Sequence, residues 1–171
     1  MPDILTPHPD LSRVCLLSCD IDGVLTDGGL YYADDETRLA RFNVLDGMGL
    51  KRIQKAGVKV AFISQSTTSY IRSRAEDLGV DYCYTGIEDK LKVMKALLEY
   101  EPFGLEDVCH IGDDVNDLEL LGAVGLAMTV PGCVPEVEAV CRFTTRQPGG
   151  NGAVRELCDA IIAAKRGVNC D

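Results

Sequence analysis

Short apolar runs alternate along the chain with segments of helical period. The runs 13–19 (RVCLLSC), 58–63 (VKVAFI), 81–85 (DYCYT), 107–111 (DVCHI), 124–128 (VGLAM) and 141–144 (CRFT) lack apolar–polar alternation. That is the pattern of strands covered on both faces. Between them, the spacing predicts helices over 46–56, 67–78, 89–100, 115–122 and 134–139, with a closing helix over 152–166. Leu91, Met94, Leu97 and Leu98 make one apolar stripe, and Ile71, Ala75 and Leu78 make another. A βαβα order of this kind implies an α/β fold built on a doubly wound parallel sheet. Segment 28–43, GGLYYADDETRLARFN, breaks the rhythm. Its apolar stretches flank the polar turn Asp34-Asp35-Glu36-Thr37, which predicts a small β-hairpin inserted directly after the first strand. Leu30, Tyr31 and Tyr32 give that hairpin a sticky surface, to be covered by its own domain or by another subunit.

Composition narrows the class. The 171 residues suit a single domain, 1–171, with a core spanning about 13–163, and no Pro- or Ser-rich linker or repeat divides them. With 46% hydrophobic residues the chain has enough apolar material to bury a core. A formal charge of −10 argues against nucleic acid or an anionic membrane as partner. It leaves room for a phosphorylated substrate, because a bound cation inverts the local field. The start, MPDILTPHPDLSR, lacks the basic and apolar regions of a signal peptide, and no apolar segment is long enough for a bilayer, so the expected setting is cytoplasmic. The eight cysteines form no C-x-x-C pair, and Cys15, Cys19 and Cys109 sit inside apolar runs, as reduced structural thiols do. With His8 and His110 the only histidines, a zinc site is not expected.

Carboxylates crowd where strands end. The first strand runs into SCDIDGVLTDG, 18–28, with Asp20, Asp22 and Asp27. Ser64 follows VKVAFI, Gly112-Asp113-Asp114 follow DVCHI, and Lys90 opens the helix after DYCYT. Open α/β sheets bind ligands outside the carboxyl ends of their strands, so these positions converge on one edge. Two carboxylates ~4 Å apart repel by about 4 kcal/mol at an effective dielectric near 20, so such a cluster needs a cation. A small all-oxygen ligand set suits Mg²⁺, which also takes phosphate oxygens. Lys90 and Ser64 supply a charge and a hydroxyl donor for a phosphoryl group, and backbone N–H groups in the turn at Gly23 can add an anion nest.

The D-x-D spacing has its own chemistry. One carboxylate can attack phosphorus and form an aspartyl-phosphate. The other can protonate the leaving oxygen and later deprotonate water. Structural roles compete for the same residues: Asp114 as cap of the helix near Val115, Ser64 or Ser66 as cap of the next helix, and Lys90 as a solvated side chain.

The motifs DIDGVLTDG, FNVLDGMG, IS at 63–64, DK at 89–90, GDDVNDL at 112–118 and GGNGAVRE at 149–156 resemble, in order, those of the haloacid dehalogenase-like phosphatases. Within them the chain resembles the small capless branch acting on octulosonate 8-phosphate, whose relatives act on nonulosonate 9-phosphates. A similar non-catalytic assembly domain follows some acylneuraminate cytidylyltransferases. The resemblance implies a Rossmann-like fold with no cap domain and a Mg²⁺-dependent phosphatase. It implies Asp20 as nucleophile, Asp22 as general acid/base, and Ser64 and Lys90 on the phosphoryl group. Mg²⁺ would lie on Asp20, Asp113 and the Asp22 carbonyl, with Asp114 and Asp117 supporting. Asn43, Asp46, Gly47, Arg72 and Arg74 become substrate candidates, Asp46 having a helix-capping role as its structural alternative. The resemblance further implies a homotetramer with hairpins at its centre and a Gly-rich C-terminal tail reaching a neighbouring site. One departure stands out: Gln65-Ser66 occupy the place of the branch's Gly-Arg or Gly-Glu, removing a charged residue that helps select the sugar acid. A response-regulator receiver also clusters Asp, Ser/Thr and Lys, but lacks the paired acid two residues after its phosphorylated Asp.

Overall fold

A computed structural model describes residues 8–168. A short helix, α1 (Pro9–Arg13), precedes the first strand; Pro9 opens its first turn and the His8 side chain accepts from the Asp10 N–H. The strands are β1 (Leu16–Cys19), β4 (Lys59–Ser64), β5 (Tyr82–Thr85), β6 (Val108–Ile111), β7 (Leu126–Thr129) and β8 (Phe143–Thr144). They form one sheet in the order β5-β4-β1-β6-β7-β8, every pairing parallel. Chain order runs outward in both directions from β1, so the crevice beside its carboxyl end is the topological switch point.

The connecting helices are α2 (Val44–Lys55), α3 (Ser69–Leu78), α4 (Lys90–Leu98), α5 (Leu118–Leu121), α6 (Pro135–Val140) and α7 (Ala153–Val168). Side chains alternate across the sheet. Leu17, Cys19, Val60, Phe62, Cys109 and Ile111 pack with residues of α1, α2, α3 and α7. Leu16, Ala61, Ile63 and Val108 pack with α4 and α5 on the other face. The doubly wound sheet expected from the sequence is therefore present, with a helical layer on each side.

Differences from the expected elements are local. The helix expected over 115–122 divides into a 3₁₀ turn, Val115–Asp117, and the single turn of α5. The strand expected from 124 begins at Leu126, because the Gly125 N–H is drawn to the Leu105 carbonyl. The hairpin forms as β2 (Tyr31–Tyr32) and β3 (Arg38–Leu39), paired antiparallel, and a Thr26–Phe42 bridge closes its base. The Gly-rich segment packs on its own chain. Gly149 lies so close to Gly23 that a Cβ would stand 1.7 Å from the Gly23 carbonyl oxygen, and the Gly150 N–H donates to Val24. The segment thus braces the aspartate loop of its own chain before α7 begins; residues 169–171 lie outside those described. No described helix is long and apolar enough to cross a membrane.

Candidate active site

The switch point holds the acidic cluster. Asp20 follows β1 directly, its N–H held by the Ile111 carbonyl, so the ends of β1 and β6 are tied together. The chain then turns: the Leu25 and Thr26 N–H groups return to the Ile21 carbonyl, and the buried Thr26 hydroxyl accepts from Gly23 and Gly28. Gly23 adopts φ +89°, and a Cβ there would sit 2.0 Å from Asp113 Oδ2. Only glycine lets the two acidic loops approach this closely. Its N–H is spent on Thr26, which removes Gly23 from the expected anion nest.

Asp20, Asp22, Ser64, Gln65, Ser66, Asp113, Asp114 and Asn116 line a cavity of about 350 Å³. Lys90 sits beneath it, 2% exposed, its ammonium 2.8 Å from Asp20 Oδ1 and 2.6 Å from Asp117 Oδ1. It is not a solvated lysine. It opens α4, whose N-cap Asp89 accepts from the Lys92 N–H, so the helix start fixes where the lysine points. Burial works against the Lys90 charge, yet the Asp20 and Asp117 carboxylates outweigh it and hold the ammonium above its ordinary range. Beyond Asp117 a buried chain continues. His110 Nε2 lies 2.9 Å from Asp117 Oδ1 and His110 Nδ1 3.0 Å from Ser18 Oγ. Burial opposes charge on Asp117 too, but His110 and Lys90 outweigh it and keep its carboxyl below the usual range.

A metal fits the donor set. Asp20, Asp113 and Asp117 each bring a carboxylate oxygen within 4.8 Å of the others. Asp117 is already engaged, Oδ1 by Lys90 and His110 and Oδ2 by the Asp113 N–H at 3.3 Å. Asp113 is not: its Oδ1 is buried and makes no hydrogen bond. Burial, then the charges of Asp20, Asp117 and Asp114, push Asp113 up to about 7; burial and Asp117 raise Asp20 despite Lys90. Buried carboxyls driven upward with an oxygen to spare are what a divalent cation would relieve.

The remaining candidates lie elsewhere. Asn43 caps α2, its Oδ1 accepting from Leu45, while its amide donates to the Gly150 carbonyl. Asp46 does not cap its own helix; buried, it accepts from the Gly152 and Arg155 N–H groups at the start of α7. Gly47 lies against Arg74, where a Cβ would be 2.4 Å from a guanidinium nitrogen. Arg74 donates to the Asn43 carbonyl, and Arg72 binds Thr85 and faces a separate groove by β5. None of these five lines the cavity of this chain. Asp114 caps the 3₁₀ turn as its structural reading foresaw, whereas Thr68, not Ser64 or Ser66, stands at the N-cap of α3.

Four neighbours escaped the sequence reading: Asn116 in the cavity lining, His110, Ser18 and Tyr70, whose hydroxyl donates to Asp22 Oδ1 at 3.0 Å. Ser18 and His110 are polar residues within apolar runs, the one available signal; that they sit side by side in register emerges only from the pairing of β1 with β6.

Known proteins share the fold and much of the sequence. A family model described as haloacid dehalogenase-like hydrolase matches residues 84–157. The 3-deoxy-D-manno-octulosonate 8-phosphate phosphatase of Yersinia pestis is 36% identical over 154 residues, covering 90% of this chain and 82% of its own. A structure of that phosphatase from Moraxella catarrhalis, in complex with magnesium, phosphate and KDO, superposes with a TM-score of 0.90 at 31% identity over 97% of this chain and 94% of that one. A cobalt-bound relative from Haemophilus influenzae gives 0.87 at 31% identity over 92% of each. The chain belongs to the haloacid dehalogenase-like phosphatases, on the branch of these octulosonate phosphatases. It is a phosphoric monoester hydrolase, and the described residues form no cap domain.

Proposed function

We propose that the chain hydrolyses 3-deoxy-D-manno-octulosonate 8-phosphate through an aspartyl-phosphate. The observation that carries this reading is the pairing of Asp20 and Asp22 in one cavity, above a lysine buried between Asp20 and Asp117, in a chain 36% identical to a phosphatase of that substrate. An Asp20 carboxylate oxygen attacks phosphorus and the ester P–O bond breaks. Asp22 gives its proton to the departing sugar oxygen. Asp22 then takes a proton from water, whose oxygen attacks phosphorus, and the Asp20–phosphorus bond breaks to release inorganic phosphate. Ser64 and Lys90 bind the phosphoryl oxygens. Asp117 holds Lys90 in place, supported by the 2.6 Å contact. Asp20, Asp113 and the Asp22 carbonyl are the proposed Mg²⁺ ligands, with Asp114 beside them. When bound, Mg²⁺ supplies the positive charge that lets the carboxylates and a phosphate dianion share one site.

The reading extends to one domain over 1–171, a cytoplasmic setting and a homotetramer centred on the hairpins. Exposed Leu30, Tyr31, Tyr32 and Leu39 on the hairpin, continued by Val44, Leu45 and Met48, support the assembly. Gln65 and Ser66, a neutral pair in the cavity, match neither the Gly-Arg of octulosonate enzymes nor the Gly-Glu of the nonulosonate branch, so a nonulosonate 9-phosphate stands as the alternative substrate. Turnover of a panel of sugar phosphates with Mg²⁺ or with EDTA tests both. A marked preference for octulosonate 8-phosphate that stops on chelation is expected. Comparable, feeble rates on every ester would sink the named substrate.

A further inference from the structure

The cavity's acid/base carboxylate is held from outside the aspartate loop. Asp22 Oδ1 accepts from the Tyr70 hydroxyl at 3.0 Å, across 48 residues of sequence. Tyr70 lies in the first turn of α3 and is half-buried. Its ring meets Phe42 edge-on, centroids 6.0 Å apart, and Phe42 carries the Arg74 guanidinium at 5.5 Å on its own ring. Arg74 in turn donates to the Asn43 carbonyl. Phe42 is bridged to Thr26, the residue whose hydroxyl gathers the aspartate loop. The backbone of Asp22 and the partner of its carboxylate are thus referred to one frame.

From this geometry we infer that Tyr70 is a positioning residue for the general acid, fixing Asp22 by one oxygen so that the other faces the leaving group. The inference rests on the reading of Asp22 as that acid. During the first step Asp22 loses a proton to the ester oxygen as the P–O bond breaks, and its carboxyl gains negative charge. A hydrogen bond to an ionised acceptor is stronger than one to a neutral acceptor, so the Tyr70 contact tightens as the transition state forms. Tyr70 keeps its own proton throughout. The help matters most for a poor leaving group. An alkoxide needs its proton as the bond breaks, whereas an activated phenolate departs without one.

The experiment compares kcat/KM for an alkyl ester, octulosonate 8-phosphate, and an aryl ester, p-nitrophenyl phosphate, in the wild type, Tyr70→Phe and Asp22→Asn, all with Mg²⁺. kcat/KM reports steps up to phosphoryl transfer, so hydrolysis of the intermediate does not mask the leaving group. Tyr70→Phe removes one oxygen from a half-buried ring; far-UV spectra and melting curves establish that it folds. Expected is a fall of about tenfold in the alkyl-to-aryl ratio for Tyr70→Phe, and a larger fall for Asp22→Asn. An unchanged ratio in Tyr70→Phe beside a reduced one in Asp22→Asn overturns the role of Tyr70 alone. An equal loss on both esters in Tyr70→Phe also overturns it, since that is a packing defect. An unchanged ratio in Asp22→Asn overturns the acid itself, and the inference falls with it.

Discussion

Two regions of the molecule break the usual partition of residues in opposite ways. At the carboxyl edge of the sheet, Asp20, Lys90, His110 and Asp117 are buried. On the hairpin and the start of α2, Tyr32 is 65% and Val44 80% exposed. Buried charge costs solvation and is retained only when each group is paired. The edge meets that condition through the Asp20–Lys90–Asp117–His110 chain, leaving Asp113 Oδ1 and Asn116 Oδ1 without partners. An exposed apolar face costs little to the folded subunit but invites association. The contrast is between charge paired inside the chain and an apolar face left exposed, the face on which the proposed assembly rests.

Breaking the buried side has the largest effect. Asp20→Asn removes the attacking oxygen, and steady-state turnover should fall by about a thousandfold or more with the fold intact. Retained multiple turnover would rule out Asp20 as nucleophile. Next comes Lys90→Met, which leaves Asp20 and Asp117 facing each other inside the protein. Stability in urea should drop by ~3–5 kcal/mol, the usual result of stripping one partner from a buried ion pair. A loss below about 1 kcal/mol, the value of a surface pair, would mean that water reaches the cluster.

The third effect is graded and depends on metal. Asp113 is raised to about 7 and Asp20 is raised as well, so between the ordinary carboxylate range and these values the folded state binds more protons than the unfolded chain. Metal-free stability therefore increases as pH falls from about 8 to about 5. The lowered Asp117 acts in the opposite sense, but only below the ordinary carboxylate range. Excess Mg²⁺ favours the ionised carboxylates, so it should raise Tm most near pH ~8 and flatten the slope. Equal Tm at both ends of this range with EDTA would contradict the crowding of charge. Smallest is the hairpin. Leu39→Asp should change the intrinsic stability of the subunit by no more than about 0.5 kcal/mol, as exposed substitutions do. Sedimentation should nonetheless show the proposed assembly dissociating; an unchanged mass would overturn the hairpin as its contact.

What the linear chain determined is its periodicity and its chemistry. Short apolar runs without alternation, bounded by turn residues, are the pattern of strands covered on both faces, and their order with amphipathic helices leaves few topologies. Acidic residues at the ends of such strands must meet at the switch point, so Asp20, Asp22, Ser64 and Asp113 were legible as one cavity. What only tertiary structure decided is lateral and long-range. Ser18 beside His110 follows from the register of β1 on β6, and Tyr70 against Asp22 from how α3 leans on Phe42. The same holds for Asp46, which reads as the cap of its own helix but binds the start of α7, and for the Gly-rich segment, which packs beneath the aspartate loop. Periodicity is a local property of the backbone, whereas the partner of a buried polar group is whichever donor or acceptor the packing of distant elements brings within 3 Å or so.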